Sequence, residues 1–221
     1  MNFTWSYSAL NNYTTCPRQY HALRVEKRYK QEETIHTQWG NDVHKAIEET
    51  LKTDTPLPAR MSAYSDIVNR IKQSNIEFYV EQKLGVTEQH EACGFFDPKC
   101  WSRAIVDYLG VNGNKALDLD WKTGKRKEGS KQLVLSAAIV FANFPQIDTI
   151  TTGFVWLQEG GKISTKVFFR EDLQAMWKTF EAELRNMAWS YEHDNWPPKP
   201  SGLCGKWCPV TDCEHNGRDR K

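Results

Sequence analysis

Apolar residues along this chain change their period several times. They recur at helical spacing as far as residue 72, alternate through residue 122, and then return in both patterns. Ser6 and Ser8 stand just ahead of the first periodic stretch and read as N-caps for a helix over residues 9–13. Pro17 restarts a helix through Arg18, Tyr20 and Leu23, because proline is tolerated only in a first turn. A charged linker over residues 26–33 leads to a helix over residues 37–51. There Trp39, Val43, Ala46 and Ile47 share one face, with His44 beside it. Pro56 and Pro58 separate this helix from another over residues 63–72.

Residues 76–81 begin the strand-like part. Strands over residues 101–111 and 115–122 are joined by Asn112-Gly113, a strong tight-hairpin signal. Residues 132–144, rich in Leu, Ala, Val and Ile, read as a buried helix. Residues 149–157 and 163–169 form a second hairpin about Gly160-Gly161. A long amphipathic helix over residues 171–192 precedes a proline-rich loop. No internal repeat or low-complexity segment is present. The pattern predicts an α/β (α+β) fold with a central mixed β-sheet flanked by helices. It predicts one domain over residues 1–221: a helical part (1–73), a catalytic core (74–192), and a Cys-rich tail (193–221) that packs back on Cys16.

Composition narrows the function. At 221 residues and 39% hydrophobic, the chain can bury one good core. Its 29 basic and 28 acidic residues leave a formal charge of +1, which argues against coating nucleic acid by bulk charge. A local basic groove needs no net excess. Nine Trp suit base stacking as well as core burial, the commoner use. Met1-Asn2-Phe3-Thr4-Trp5 lacks the pattern of a signal peptide, and no run approaches the ~20 apolar residues of a membrane span. The expected location is the cytoplasm, where disulfides are uncommon. The six cysteines therefore call for another use.

Three distant segments fit one reaction: the helix Gly40-Asn41-Asp42-Val43-His44, the strand carrying Asp107, and Asp118-Leu119-Asp120-Trp121-Lys122-Thr123-Gly124. An acid-x-Lys tripeptide alone is weak, and the chain has four: at Glu81, Asp97, Asp120 and Asp219. Asp97 precedes a proline and Asp219 lies in the tail. Asp120 and Lys122 instead end a strand whose hairpin partner carries Asp107. Period-two alternation puts Asp118, Asp120 and Lys122 on one face and Leu119 and Trp121 on the other. A turn at Asn112-Gly113 makes Asp107 and Asp120 cross-strand neighbours or close diagonals. Two carboxylates so close repel unless a cation lies between them. Carboxylates, a divalent cation and a lysine that places water are what metal-assisted phosphodiester hydrolysis needs. The plainer reading is a hairpin with surface acids.

Asp107, then Asp120-Trp121-Lys122-Thr123-Gly124, then Gln132 resembles the PD-(D/E)XK nuclease superfamily, specifically its RecB-like exonuclease branch. Gly40 to His44 matches that branch's helix motif and Val106-Asp107 its strand motif. Trp121 stands where tyrosine is common, and Ser136 replaces the tyrosine that follows Gln132. The resemblance implies that Asp107 and Asp120 bind Mg²⁺ or Mn²⁺, with His44 as a further ligand or its support. It implies that Lys122 orients or deprotonates water and that Gln132 steadies Lys122 or the DNA backbone. Ser136 inherits no role. Glu81 falls where relatives often carry a strand glutamate, but a solvent-facing acid fits equally. Asp118 is expected to support the site or to be exposed.

Cys16 near one end and Cys204, Cys208 and Cys213 near the other resemble the iron–sulfur-stapled members of that branch. AddB-type nucleases and CRISPR-adaptation nucleases are among them. Four thiolates suit a [4Fe–4S] cluster or a tetrahedral Zn²⁺, and the resemblance favours iron. Such a clamp would be structural, holding the N-terminal helices over the active site. Cys93 and Cys100 receive no role.

Lys125-Arg126-Lys127 and Lys131 could hold a phosphate backbone, with Arg18 and Arg103 as further candidates. The plain alternative is a solvated loop. Together these features imply a metal-dependent DNA exonuclease of bacteria or phages, acting on single-stranded or end-bearing DNA. The chain lacks a helicase motif, so a helicase or recombination protein would supply the substrate. The alternatives are a CRISPR-adaptation-type or structure-specific endonuclease and a non-catalytic, metal-stapled DNA-binding module.

Overall fold

A computed structural model describes residues 3–74, 76–126 and 131–217. In chain order the elements are α1 (Tyr7–Thr15), α2 (Pro17–Tyr20), α3 (Ile35–Thr53), α4 (Ser65–Lys72), β1 (Glu77–Val86), β2 (Ala92–Cys93) and β3 (Ser102–Asn112). Then follow β4 (Lys115–Lys122), α5 (Lys131–Asn143), β5 (Thr149–Trp156), β6 (Lys162–Phe169), α6 (Leu173–Lys178) and α7 (Glu181–His193). The chain divides into two compact units, one of residues 34–178 and one of residues 5–33 and 179–221.

The larger unit is built on a six-stranded sheet in the order β2-β1-β3-β4-β5-β6. Every neighbouring pair is antiparallel except β4 and β5, which run parallel. A parallel pair needs a crossover, and α5 supplies it. That helix is apolar nearly all round because it is covered on most sides; Leu135, Ala137, Ala138, Ile139, Val140 and Phe141 are all buried. The opposite layer begins at Thr34, whose hydroxyl accepts from the Thr37 N–H at 3.2 Å and caps α3. From there Val43, Ile47 and Leu51 meet Val68 and Ile71 of α4, and Leu119, Trp121 and Val155 of the sheet. Truncating Ile47 or Leu119 to alanine should cost about 2–5 kcal/mol.

Pairing of β3 with β4 runs from Asn112↔Lys115 to Tyr108↔Leu119 and then stops. Beyond that point β3 stays with β1 as far as Ser102, while β4 stays with β5 as far as Lys122. The sheet therefore forks immediately beside Asp107 and Asp120.

In the smaller unit, Ser6 caps α1 by accepting from the Ala9 N–H at 3.3 Å. The helix after Pro17 passes into a π-helical turn, His21–Val25. Tyr13 donates to the Asn186 carbonyl at 2.8 Å, tying α1 to α7. Rings of Tyr13, Tyr20, His21 and Tyr191 surround Trp196.

The mixed sheet flanked by helices is the architecture that the alternation of patterns predicts. Three details differ. The first strand runs on to Val86 and pairs with the two-residue β2. A 3-10 turn, Ala59–Tyr64, precedes α4. The helix expected over residues 171–192 is two helices, parted at Thr179 and Phe180. Phe180 keeps near-helical dihedrals (φ −104°, ψ −10°), so the apolar spacing passes through the break unchanged.

Candidate active site

The fork leaves the backbone of Trp121 without ladder partners on its β3 side, and two side chains take their place. Asp107 Oδ2 accepts the Trp121 N–H at 2.9 Å. His44, from α3, puts Nε2 2.8 Å from the Trp121 carbonyl and Nδ1 3.2 Å from Asp107 Oδ2. Continuing the register one step past Tyr108↔Leu119 brings Asp107 opposite Asp120. Gly40, one turn before His44, approaches the Thr123 hydroxyl so closely that an added Cβ would lie 3.2 Å from it.

Asp120, Lys122 and Gln132 form a closed network. Gln132 Nε2 donates to Asp120 Oδ1 at 2.7 Å, and Lys122 Nζ donates to Gln132 Oε1 at 3.3 Å. Lys122 Nζ lies 2.5 Å from Asp120 Oδ2 and 4.8 Å from the centre of the Phe154 ring. Leu119 and Trp121 turn to the core on the other face, as strand alternation requires. Asp118 is not exposed, which corrects half of the expectation for it: only 3% of its surface meets solvent. It is hydrogen-bonded to Ser136 of α5, and burial, against that bond, pushes its carboxyl up to about 7. Ser136 thus has a partner that the sequence did not suggest.

Glu81 completes the acidic group. It sits in β1 across from Asp107, between the pairs Val80↔Tyr108 and Gln82↔Val106. Its backbone is left-handed at φ +52°, a conformation that a glutamate adopts only under constraint. Ligand atoms of His44, Glu81 and Asp107 all lie within 4.8 Å of one another. Burial raises Glu81, and the charges of Asp107 and Glu48 raise it further. Burial also raises Asp120, with Asp107 adding to it and Lys122 opposing. For His44, burial favours the neutral ring, but the bond to Asp107 and the charge of Asp120 outweigh it and raise the imidazole. Acidic groups are thus crowded past what His44 and Lys122 neutralise, and their donor set of carboxylate oxygens and one imidazole suits a hard divalent cation.

The four clustered cysteines belong to the smaller unit. Cys16, Cys204, Cys208 and Cys213 line one cavity with Arg18, Gln19 and His215. The Lys199 and Ser201 N–H groups donate to the sulfurs of Cys16 and Cys204, each at 3.4 Å. Cys208 accepts from the Val210 backbone and the Gln19 side chain, although burial raises its thiol. Arg18 is held at the Cys-rich tail by Glu214, 3.3 Å away. In the larger unit Arg126 lies 3.9 Å from Glu159, and Arg103 sits over the Phe95 ring. Lys127 and residues 218–221 fall outside the described residues.

The family model of the PD-(D/E)XK nuclease superfamily matches residues 4–213, and the chain belongs to that superfamily. Solved structures share the fold. A candidate exonuclease from Eubacterium rectale is 13% identical with a TM-score of 0.57, over 99% of this chain and 88% of that one. The protein SSO0001 is 14% identical with a TM-score of 0.52, over 96% of this chain and 86% of its own. Among curated proteins no match is found.

Proposed function

We propose that this chain is a divalent-metal-dependent deoxyribonuclease of the RecB-like branch, working as an exonuclease on single-stranded or end-bearing DNA in bacterial or phage DNA processing. One observation carries the reading: His44, Glu81 and Asp107 converge within 4.8 Å at the fork that also holds the Asp120–Lys122–Gln132 network. These three residues and Asp120 would hold Mg²⁺ or Mn²⁺. Such a cation lowers the pKa of its water and polarises the phosphodiester.

The side chains divide the remaining work. Lys122 Nζ, aimed by Asp120 and Gln132, orients the attacking water and offers positive charge where the phosphate oxygens gain negative charge. Gln132 fixes the spacing of Asp120 and Lys122 by donating to one and accepting from the other. His44, with Nε2 engaged by the Trp121 carbonyl, turns Nδ1 toward the carboxylates. The Asp118–Ser136 bond ties α5, and with it Gln132, to the strand bearing Asp120.

Anaerobically purified protein with Mn²⁺ and end-labelled linear single-stranded DNA tests the reading, beside a circular substrate and Asp120→Ala. Loss of the linear DNA alone, absent in the variant, is the expected result. Cutting of the circle makes the enzyme an endonuclease. Binding without cleavage makes it a non-catalytic module.

In the same proposal, Cys16, Cys204, Cys208 and Cys213 hold a structural [4Fe–4S] cluster. Backbone N–H groups reach three of the four sulfurs, the hydrogen bonding that stabilises thiolates around such clusters. Iron and acid-labile sulfide in the anaerobic protein, both lost in Cys16→Ser, are expected. Stoichiometric zinc without iron refutes the cluster.

A further inference from the structure

The strands that carry Glu81 and Asp107 also carry two cations, Lys83, which is exposed, and Arg103, which is half-buried. Lys83 pairs with Ile105 and Gly85 with Arg103, so these four share a face. On the opposite face Leu84, Val86 and Ser102 are buried. At about 3.3 Å per residue, Lys83 and Ile105 stand about 7 Å along their strands from Glu81 and Asp107, and Arg103 about 13 Å from Asp107.

The loop between β2 and β3 adds two rings to this face. Phe96 is 78% exposed and Ile105 46%, in a protein that buries most of its large side chains. Lys83 Nζ lies 5.8 Å from the centre of the Phe96 ring, and the Arg103 guanidinium 4.9 Å from that of Phe95. The two rings meet edge to face at 5.0 Å. The loop is ordered by its own bonds: Asp97 N–H to the Gly94 carbonyl and Cys100 N–H to the Asp97 carbonyl, each 2.9 Å. Cys93 and Cys100 close its base, their thiols hydrogen-bonded to each other. Asp97 is its one acid, and the Lys99 N–H occupies Asp97 Oδ1 at 2.7 Å.

Phe96 is an exposed apolar ring, costly unless something covers it, while Phe95 is half-buried, and each ring already has a cation beside it. Flat faces flanked by positive charge are what unpaired bases on a phosphate backbone require. A duplex keeps its base faces stacked inward and offers such rings nothing.

We infer that Phe95, Phe96, Lys83 and Arg103 form a platform on which single-stranded DNA stacks, and that this selects unpaired strands. The inference builds on the nuclease reading and names its substrate. The test is binding of labelled oligothymidylate and of a hairpin duplex to the full chain in chelator, with metal-dependent cleavage assayed in parallel. Phe96→Ala should weaken single-strand binding by about 5- to 150-fold, while the duplex is unaffected and Phe96→Trp restores affinity. Phe96 is exposed, so its truncation leaves the core intact. Equal single-strand binding by wild type and Phe96→Ala overturns the platform, as does an equal loss for both substrates. So does self-association of the wild type that Phe96→Ala abolishes while DNA binding persists, since the rings would then meet protein. A wild type that binds and discriminates as described but never cleaves overturns the nuclease reading alone.

Discussion

Replacing Glu81 by glycine should stabilise the metal-free protein while impairing its chemistry. The residue holds φ at +52°, and a left-handed non-glycine costs about 1–2 kcal/mol. Glycine relieves that cost but gives back about 0.5–1 kcal/mol in unfolded-chain freedom. The substitution also removes a carboxylate that faces Asp107 and Glu48. Alanine removes the same charge but keeps the strain. Glu81→Gly should therefore exceed Glu81→Ala by about 0.5–1 kcal/mol, the reverse of the usual order within a strand. For a chain of this size that is about 1–4 °C in melting temperature. Differential scanning fluorimetry in chelator measures it, and a second series with Mn²⁺ should show less ligand-induced stabilisation in both variants than in wild type. An alanine variant more stable than the glycine variant would refute the constrained backbone. Equal Mn²⁺ stabilisation in all three would remove Glu81 from the metal site.

Two further predictions concern the scaffold. Arg170 donates to the carbonyls of Ile147, Phe141 and Phe144 at 2.6, 3.0 and 2.7 Å, closing the C-terminal end of α5. Arg170→Ala should cost about 3 kcal/mol and lower the melting temperature by about 6–12 °C, and lysine, which lacks the fork, should recover little. His90 lies flat on Trp177 with centroids 4.3 Å apart, and burial lowers its imidazole. Because the folded state prefers the neutral ring, stability is full above the ordinary histidine value of about 6.5 and falls on acidification below it. His90→Asn tolerates the same left-handed φ of +64° and should flatten that slope in urea titrations between pH 7 and pH 5; an unchanged slope refutes the assignment.

What the sequence made legible was periodic. The alternation through Asp118-Leu119-Asp120-Trp121-Lys122 placed acids and core on opposite faces, and Asn112-Gly113 set the hairpin register within one residue. Three features left no such trace. The sign of φ at Glu81 is invisible because glutamate is not a residue that signals a left-handed turn. Asp118 looked exposable because a charge rarely marks a buried position, and its partner Ser136 lies on a helix apolar enough to hide a hydroxyl. The break at Thr179 and Phe180 has no proline or glycine to announce it, and it falls where the larger unit gives way to the smaller. The roles of Asp107, Asp120, Lys122, His44 and Gln132 rest on resemblance and geometry together, and the cleavage assay decides them.

The forked sheet bears on the choice of an inactive variant. The buried Trp121 N–H depends on the Asp107 carboxylate, where a sheet would ordinarily offer a backbone carbonyl. Asp107→Ala would orphan that donor at about 1–3 kcal/mol, so a dead Asp107→Ala enzyme leaves chemistry and foldedness entangled. Asp107→Asn keeps an acceptor for Trp121 and loses only charge. Asp120 carries no such duty toward the backbone, being engaged by Lys122 and Gln132. It is the position at which a structural trap with bound DNA should be built.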